Sequence, residues 1–258
     1  MERYYDIEET LLRSPMLRPL EISSQETAEH LSGEIFATVK FDMNTINSAT
    51  NGSERWCEVM LLLSNCQSCI ASTGNENDTL HIVINSSKTI ESSRATATEF
   101  KLRVQSATNN YLDIALIGSA GPAGTRNINL RIQAIPLSDT NSFVHLQYSY
   151  DTQWLGRLAM QTYLQTSGRG KLGFTSENNE NFRATYIGGA RGVIERNTMR
   201  YFLGFECALL SNTQQVPERF SSMAKCWYEQ VEKYPTQLHE IQRTEYLDMK
   251  AEEYRRQR

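Results

Sequence analysis

The stretch 186–206, YIGGARGVIERNTMRYFLGFE, decides the fold because it predicts a long helix that is apolar on two sides. At about 100° per residue, Arg191 and Glu195 fall between two apolar sectors of this helix. One sector holds Ala190, Ile194, Tyr201 and Phe205, and the other holds Met199, Phe202 and Leu203. A surface helix would instead gather its charges on one side facing solvent. We therefore expect a helix over 189–211 that covers a cavity, with Arg191 and Glu195 as the polar groups at one end of that cavity.

The region before this helix predicts a sheet. A first strand is expected at 34–41, followed by two short helices at 44–50 and 53–63, which are split at Asn51-Gly52 and capped by Ser53. Six further strands are expected at 69–73, 79–85, 95–105, 111–118, 127–136 and 142–151. Their connectors are short and carry turn residues, whereas parallel strands would need helical crossovers. The sequence therefore predicts an antiparallel meander.

The flanking regions predict helices. Residues 1–20 indicate a short helical arm that ends near Pro19, and 154–166 has helical spacing of its apolar residues. After Pro217, an apolar stripe predicts C-terminal helices that pack on the domain. We accordingly divide the chain into an N-terminal arm (1–33), a central domain (34–211) and a helical extension (212–258).

Composition excludes several classes of protein. The chain has 258 residues, 40% of them hydrophobic and 22% charged, with a formal net charge of −4. Acidic and basic residues are interspersed, so the basic stripe expected of a nucleic-acid-binding protein is missing. The sequence holds no apolar run of about 18 residues and no N-terminal export signal, so neither a transmembrane helix nor a secretory leader is predicted.

The sequence contains no convincing motif for cofactor binding, metal binding or catalysis. GRGKLG at 168–173 matches a dinucleotide fingerprint as text, but it follows a helical segment and opens no helix, so we interpret it as a connector. No GxSxG motif is present, and the four histidines do not share metal-ligand spacing. We predict no cofactor and no metal ion.

Five cysteines are too few and too scattered for a disulfide scaffold. Cys207 and Cys226 lie in apolar helical patterns, where we expect them to act as small hydrophobic residues. Cys57 and Cys69 would form a disulfide if the protein meets an oxidising compartment.

The order of elements, a strand, two short helices, an antiparallel run and a long helix, resembles the α+β helix-grip fold of START and related SRPBCC-type domains. In detail, Trp56-Cys57, Gly121-Pro122, SFVHLQYSY and GGARGVIERNTMRYFL resemble a group of uncharacterised bacterial proteins related to those domains. The resemblance implies a curved antiparallel sheet of about six or seven strands around the long helix, with extra C-terminal helices. It also implies export, hence a periplasmic location if an upstream signal has been removed and a cytoplasmic one otherwise.

Strand parity selects candidate residues for the cavity. In SFVHLQYSY, Val144, Leu146, Tyr148 and Tyr150 share one face, which we assign inward because it is apolar with phenolic tips. Tyr148 and Tyr150 could contact a ligand or be core tyrosines bonded within the protein. Arg191 and Glu195, four residues apart, could form a structural ion pair, anchor a ligand or lie exposed on the surface. Met199 and Phe202 complete the set of candidates.

Three functions fit these features. The preferred one is noncatalytic binding of a hydrophobic or amphipathic, lipid-like small molecule in an internal cavity. The first alternative is a cyclase or hydrolase on the same fold, with Glu195 or His145 as the base. The second alternative is a protein-interaction module that uses the C-terminal helices. The sequence leaves the ligand and the oligomeric state open.

Overall fold

An antiparallel sheet with a long helix on its inner face organises the chain. The computed structural model describes residues 1–74, 78–85, 95–152, 170, 172–178, 184–216 and 218–257. The strands are β1 (Leu20–Glu26), β2 (His30–Val39), β3 (Cys66–Ser72), β4 (Asp78–Asn85), β5 (Ala95–Ala107), β6 (Leu112–Ala120), β7 (Thr125–Pro136), β8 (Ser142–Thr152), β9 (Ser176–Asn178) and β10 (Ala184–Tyr186). The helices are α1 (Glu2–Leu12), α2 (Met43–Thr50), α3 (Ser53–Leu61), α4 (Gly189–Leu210), α5 (Glu218–Val231), α6 (Pro235–Leu238) and α7 (Arg243–Arg256).

The main sheet confirms the predicted fold class and adds one strand to it. Within the described residues its order is β1-β2-β8-β7-β6-β5-β4-β3, with every neighbouring pair antiparallel. The sheet curves around α4, and α2 and α3 follow β2 as expected, which is the helix-grip arrangement. The sheet has eight strands instead of six or seven because LEISSQE, within the predicted arm, pairs with β2 in the register Leu20↔Ala37 to Glu26↔Leu31. The division of the chain at residues 33 and 211 stays a prediction.

The N-terminal caps of the short helices α2 and α3 are formed by Asp42 and Gly52. Asp42 caps α2, since its carboxylate accepts from the backbone N–H of Thr45 at 2.8 Å. The cap predicted at Ser53 is wrong, because Gly52, at φ +87°, occupies the N-cap position of α3. Ser53 instead donates its hydroxyl to Asp78 at 3.2 Å. Its side chain therefore ties the start of α3 to the start of β4.

Most residues of α4 are buried, although Gly189 and Leu210 at its ends are exposed. One side lies on β1, β2 and β8, where Gly33 lets the helix approach because a side chain there would collide with Thr198. The opposite side packs on α5, and Arg196 donates to the backbone carbonyl of Gln237 at 2.5 Å. Ile194, Met199, Phe202 and Leu203 have no exposed surface. The unsegregated charges of this helix therefore reflect its position between two layers.

The apolar stripe seen in the sequence is turned inward, because α5 and α6 pack on α4 and α7 packs on α5 and β3. Phe220, Met223, Trp227, Val231, Leu238 and Tyr246 are all buried. The expectation that Cys207 and Cys226 act as separate small hydrophobic residues is wrong, because the two cysteines form a disulfide that joins α4 to α5. A second disulfide joins Cys57 on α3 to Cys69 on β3, whose Cα atoms lie 5.1 Å apart.

α1 covers part of the outer face of the sheet. Ile7 and Leu11 are buried there against Phe36 and Phe143, in a small cluster separate from the main core. The helix predicted at 154–166 and half of GRGKLG (residues 168, 169 and 171) lie outside the described residues. No helix among the described residues is both long and apolar enough to cross a membrane.

Candidate functional site

The inner face of β8 carries the two tyrosines expected at the cavity. Val144 and Leu146 have no exposed surface, and Tyr150 is 3% exposed. Tyr148 also belongs to the main core, although it is only partly buried. The neighbouring residues of β8 point to the other side, where Phe143 packs beneath α1. The alternation of β8 therefore places Tyr148 and Tyr150 toward α4.

Three phenol rings meet between β8 and α4. The ring centroids of Tyr148 and Tyr150 are 5.6 Å apart, and Tyr201 of α4 lies 4.8 Å from Tyr148. Burial is the main cause that raises the pKa of each phenol, to about 12 for Tyr201. All three side chains are therefore neutral, and each hydroxyl can donate or accept a hydrogen bond at physiological pH.

Glu195 is engaged in hydrogen bonds to the protein itself. Its carboxylate is completely buried and accepts from the hydroxyls of Ser24 and Thr175, both at 2.6 Å. It also accepts from the backbone N–H groups of Phe174, at 2.7 Å, and Thr175, at 3.0 Å. Gly173 makes room for this arrangement, since a Cβ there would lie 2.5 Å from the carboxylate. Glu195 thus fastens the segment before β9 to α4 and to β1.

Arg191 joins the same arrangement through an intermediate side chain. Its Nε donates to the hydroxyl of Ser24 at 3.2 Å, and that hydroxyl donates to Glu195. The guanidinium is half-buried near the start of α4. The two charged groups four residues apart are therefore linked through a residue of β1.

The six predicted site residues occupy three environments. Tyr148 and Tyr150 lie in the phenol cluster, whereas Arg191 and Glu195 connect α4 to β1 and to the 172–175 segment. Met199 and Phe202 have no exposed surface and contribute to the main core.

Sequence reasoning missed Tyr201 and the partners of Glu195. Tyr201 had a usable signal, because it lies in the apolar sector of the helix that faces the sheet and carries a polar tip. Ser24 and Thr175 carried no comparable signal, since neither stands in a motif that marks a partner for a residue of α4.

His145, the other candidate base, lies on the outer face of the sheet. It stacks on Phe36 with 4.2 Å between ring centroids, and its ring nitrogens contact Glu34 at 3.0 Å and Gln133 at 3.3 Å. The hydrogen bond with His145 is the main reason that the pKa of Glu34 is lowered. The sheet therefore separates this imidazole from the phenol cluster.

A polar groove lies on the same outer face, beside Glu34. Its volume is about 60 Å³, and it is lined by Ser23, Ser24, Gln25, Ser32, Glu34 and Gln147.

The residues described for this chain include no group of three or more His, Cys, Asp or Glu side chains placed to hold a metal ion.

Comparisons with known proteins return only distant likenesses. No protein-family model and no curated protein matches this sequence. Among solved structures, a conserved protein of unknown function from Enterococcus faecalis aligns with 98% of this chain and 99% of its own, at 6% identity and a TM-score of 0.36. Human StAR-related lipid transfer protein 5 aligns over 64% of this chain and 89% of its own, at 10% identity and a TM-score of 0.34. Ara h 8.0201 aligns over 58% and 91%, at 10% identity and a TM-score of 0.32. At these values, functional proposals rest on the residues of this chain alone.

Proposed function

We propose that this chain binds a hydrophobic or amphipathic small molecule between the inner face of β8 and α4. The observation that carries the proposal is the partial exposure of Tyr148 and Tyr201, two facing residues of the interior. Around them, Leu146, Ile194 and Phe202 have no exposed surface. Accessible surface among completely buried neighbours marks the place where a ligand would contact this core.

The chemistry of this place suits a mostly apolar ligand with a polar group. Aliphatic and aromatic side chains provide the apolar contact, and the three phenols provide hydrogen bonds. Ligand sites commonly combine an apolar lining with a few such polar groups. Tyr148, Tyr150 and Tyr201 are therefore the proposed polar contacts, with Met199 and Phe202 as buried support.

The geometry gives less support to the two alternatives. A general base needs a lone pair that is free to take a proton, whereas Glu195 accepts from four donors and His145 lies on the outer face. An interaction module would present its C-terminal apolar stripe to a partner, but Met223, Trp227 and Tyr246 are buried within this chain.

A binding experiment with the neutral apolar dye Nile red tests the proposal. We expect saturable binding to the full-length chain, read as dye fluorescence, and an increase in melting temperature with dye concentration. Tyr148→Trp should weaken binding by about tenfold or more, because the larger ring occupies the ligand's space. The control Tyr5→Trp makes the same change on α1, where the side chain is 64% exposed, and should leave binding unchanged.

A second measurement covers the case in which Tyr148→Trp does not fold. A photoreactive alkyl diazirine added to the unaltered protein should label the inner positions Tyr148 and Tyr201, as mapped by mass spectrometry. Absence of saturable dye binding, or labelling confined to the outer face around Tyr5, would refute the proposal.

A further inference from the structure

The phenol cluster has a chemical character that bears on which head groups it can accept. The rings of Tyr148, Tyr150 and Tyr201 lie together between the sheet and α4, and the hydroxyls of Tyr148 and Tyr201 are hydrogen-bonded to each other. Each hydroxyl is a neutral group that can both donate and accept. A ketone, an alcohol or a phenol is the natural complement of such a set.

Three charged side chains of α4, the helix that carries Tyr201, already have partners. The carboxylate of Glu195 accepts four hydrogen bonds, and Arg191 donates to Ser24. Arg200, directly before Tyr201 in α4, donates to Glu240 at 2.8 Å and to Asn197 at 3.2 Å. An ionised ligand placed among the phenols would therefore find these three charged groups of α4 engaged elsewhere, and the carboxylate of Glu26, which acts on Tyr150, is exposed to solvent.

Burial of the cluster disfavours a ligand with an ionised head group relative to one with a neutral head group. Tyr150 is 3% exposed, and Ile194 and Phe202 have no exposed surface, so the surroundings disfavour charge; burial accordingly raises the pKa of each of the three phenols. Moving a carboxylate or an ammonium group from water into such surroundings without a partner costs several-fold more than moving a hydroxyl.

We infer that this site selects ligands with a neutral hydrogen-bonding head group over ligands of equal size with an ionised one. This inference rests on the proposed function, since it concerns the same site. The residues that set the preference are Tyr148, Tyr150 and Tyr201, which act as specificity-determining contacts.

Competition against bound Nile red at neutral pH tests the inference. Decanol, decanoate and decylammonium share one alkyl chain and differ in the charge of the head group. We expect decanol to displace the dye at a concentration about tenfold lower than either ion, which corresponds to about 1.4 kcal/mol. Tyr148→Phe and Tyr201→Phe keep the ring and remove the hydroxyl, so each should reduce that ratio, which is normalised to the dye affinity measured for the same variant. Tyr5→Phe, on the exposed side of α1, is the matched control and should keep the full ratio.

The outcomes separate this inference from the function on which it rests. Dye binding with equal displacement by all three competitors would overturn the head-group preference alone. A preference that survives in both Phe variants would overturn the role of the phenols. Failure of the unaltered protein to bind the dye would overturn the proposed function and the inference together.

Discussion

Glu195 offers the sharpest test of the structure because its two oxygen atoms face different kinds of partner. Oε2 accepts from the backbone N–H groups of Phe174, at 2.7 Å, and Thr175, at 3.0 Å. Oε1 accepts from the hydroxyls of Ser24 and Thr175, both at 2.6 Å. A backbone N–H can only donate, whereas a hydroxyl can rotate and accept. Glutamine can therefore keep all four contacts, with its carbonyl oxygen toward the amides and its NH2 group toward the hydroxyls.

The expected magnitudes follow from this division. Glu195→Ala leaves the buried backbone donor of Phe174 and the part-buried donor of Thr175 unsatisfied, each at about 1–3 kcal/mol, so we expect the free energy of unfolding to fall by about 3–5 kcal/mol. Glu195→Gln keeps the contacts but replaces charged hydrogen bonds with weaker neutral ones, so we expect a loss of about 1–2 kcal/mol. Urea denaturation followed by circular dichroism measures both, provided that the dependence on urea concentration is unchanged.

A control and two outcomes make the test decisive. Glu9→Gln changes a glutamate whose side chain is 76% exposed and should alter stability by less than about 0.5 kcal/mol. A Gln variant as unstable as the Ala variant would show that charge, and not acceptor geometry, holds the 172–175 segment. A loss below about 1 kcal/mol for Glu195→Ala, together with weaker dye binding, would refute the structural role and favour the ligand-anchoring alternative.

Three further predictions concern the core, the response to acid and the cysteines. Trp56→Ala should lower the free energy of unfolding by about 3–5 kcal/mol in denaturant titration, because the indole is 3% exposed; a loss below about 1 kcal/mol would contradict its place in the core. The hydrogen bond from Arg131 lowers the pKa of Asp113. The carboxylate therefore stabilises the fold above its unfolded pKa of about 3.9, and this contribution is lost as the pH falls through the folded pKa. Asp113→Asn should accordingly lower stability at pH 7 and flatten its dependence on pH below about 4, as read from urea titrations across that range. The double variant Cys207→Ala, Cys226→Ala should lower the free energy of unfolding by about 3 kcal/mol. A thiol assay of the unaltered protein, unfolded without reduction, should find one free thiol, that of Cys66, instead of five.

The sequence alone determined most of the local structure. Alternation of apolar residues and short connectors predicted β2 to β8 within a few residues, because side-chain direction in a strand changes with every residue. The same parity rule put Tyr148 and Tyr150 on the face toward α4. Apolar residues on two sides of the 189–211 stretch predicted a long helix that covers a cavity; α4 confirms the helix, and its packing between two layers is seen only in the structure.

Long-range partners were decided only by the tertiary structure. Ser24 and Glu195 are 171 positions apart, and no periodic pattern connects a hydroxyl of one element with a carboxylate of another. The pairing of Cys207 with Cys226 likewise depends on how α5 packs against α4, since a buried cysteine in an apolar stripe has the same local pattern whether it is free or bonded. Strand β1 was missed for a related reason, because its place at the sheet edge comes from pairing with β2. Local sterics fix which way a side chain points, whereas the packing of distant elements decides what it meets.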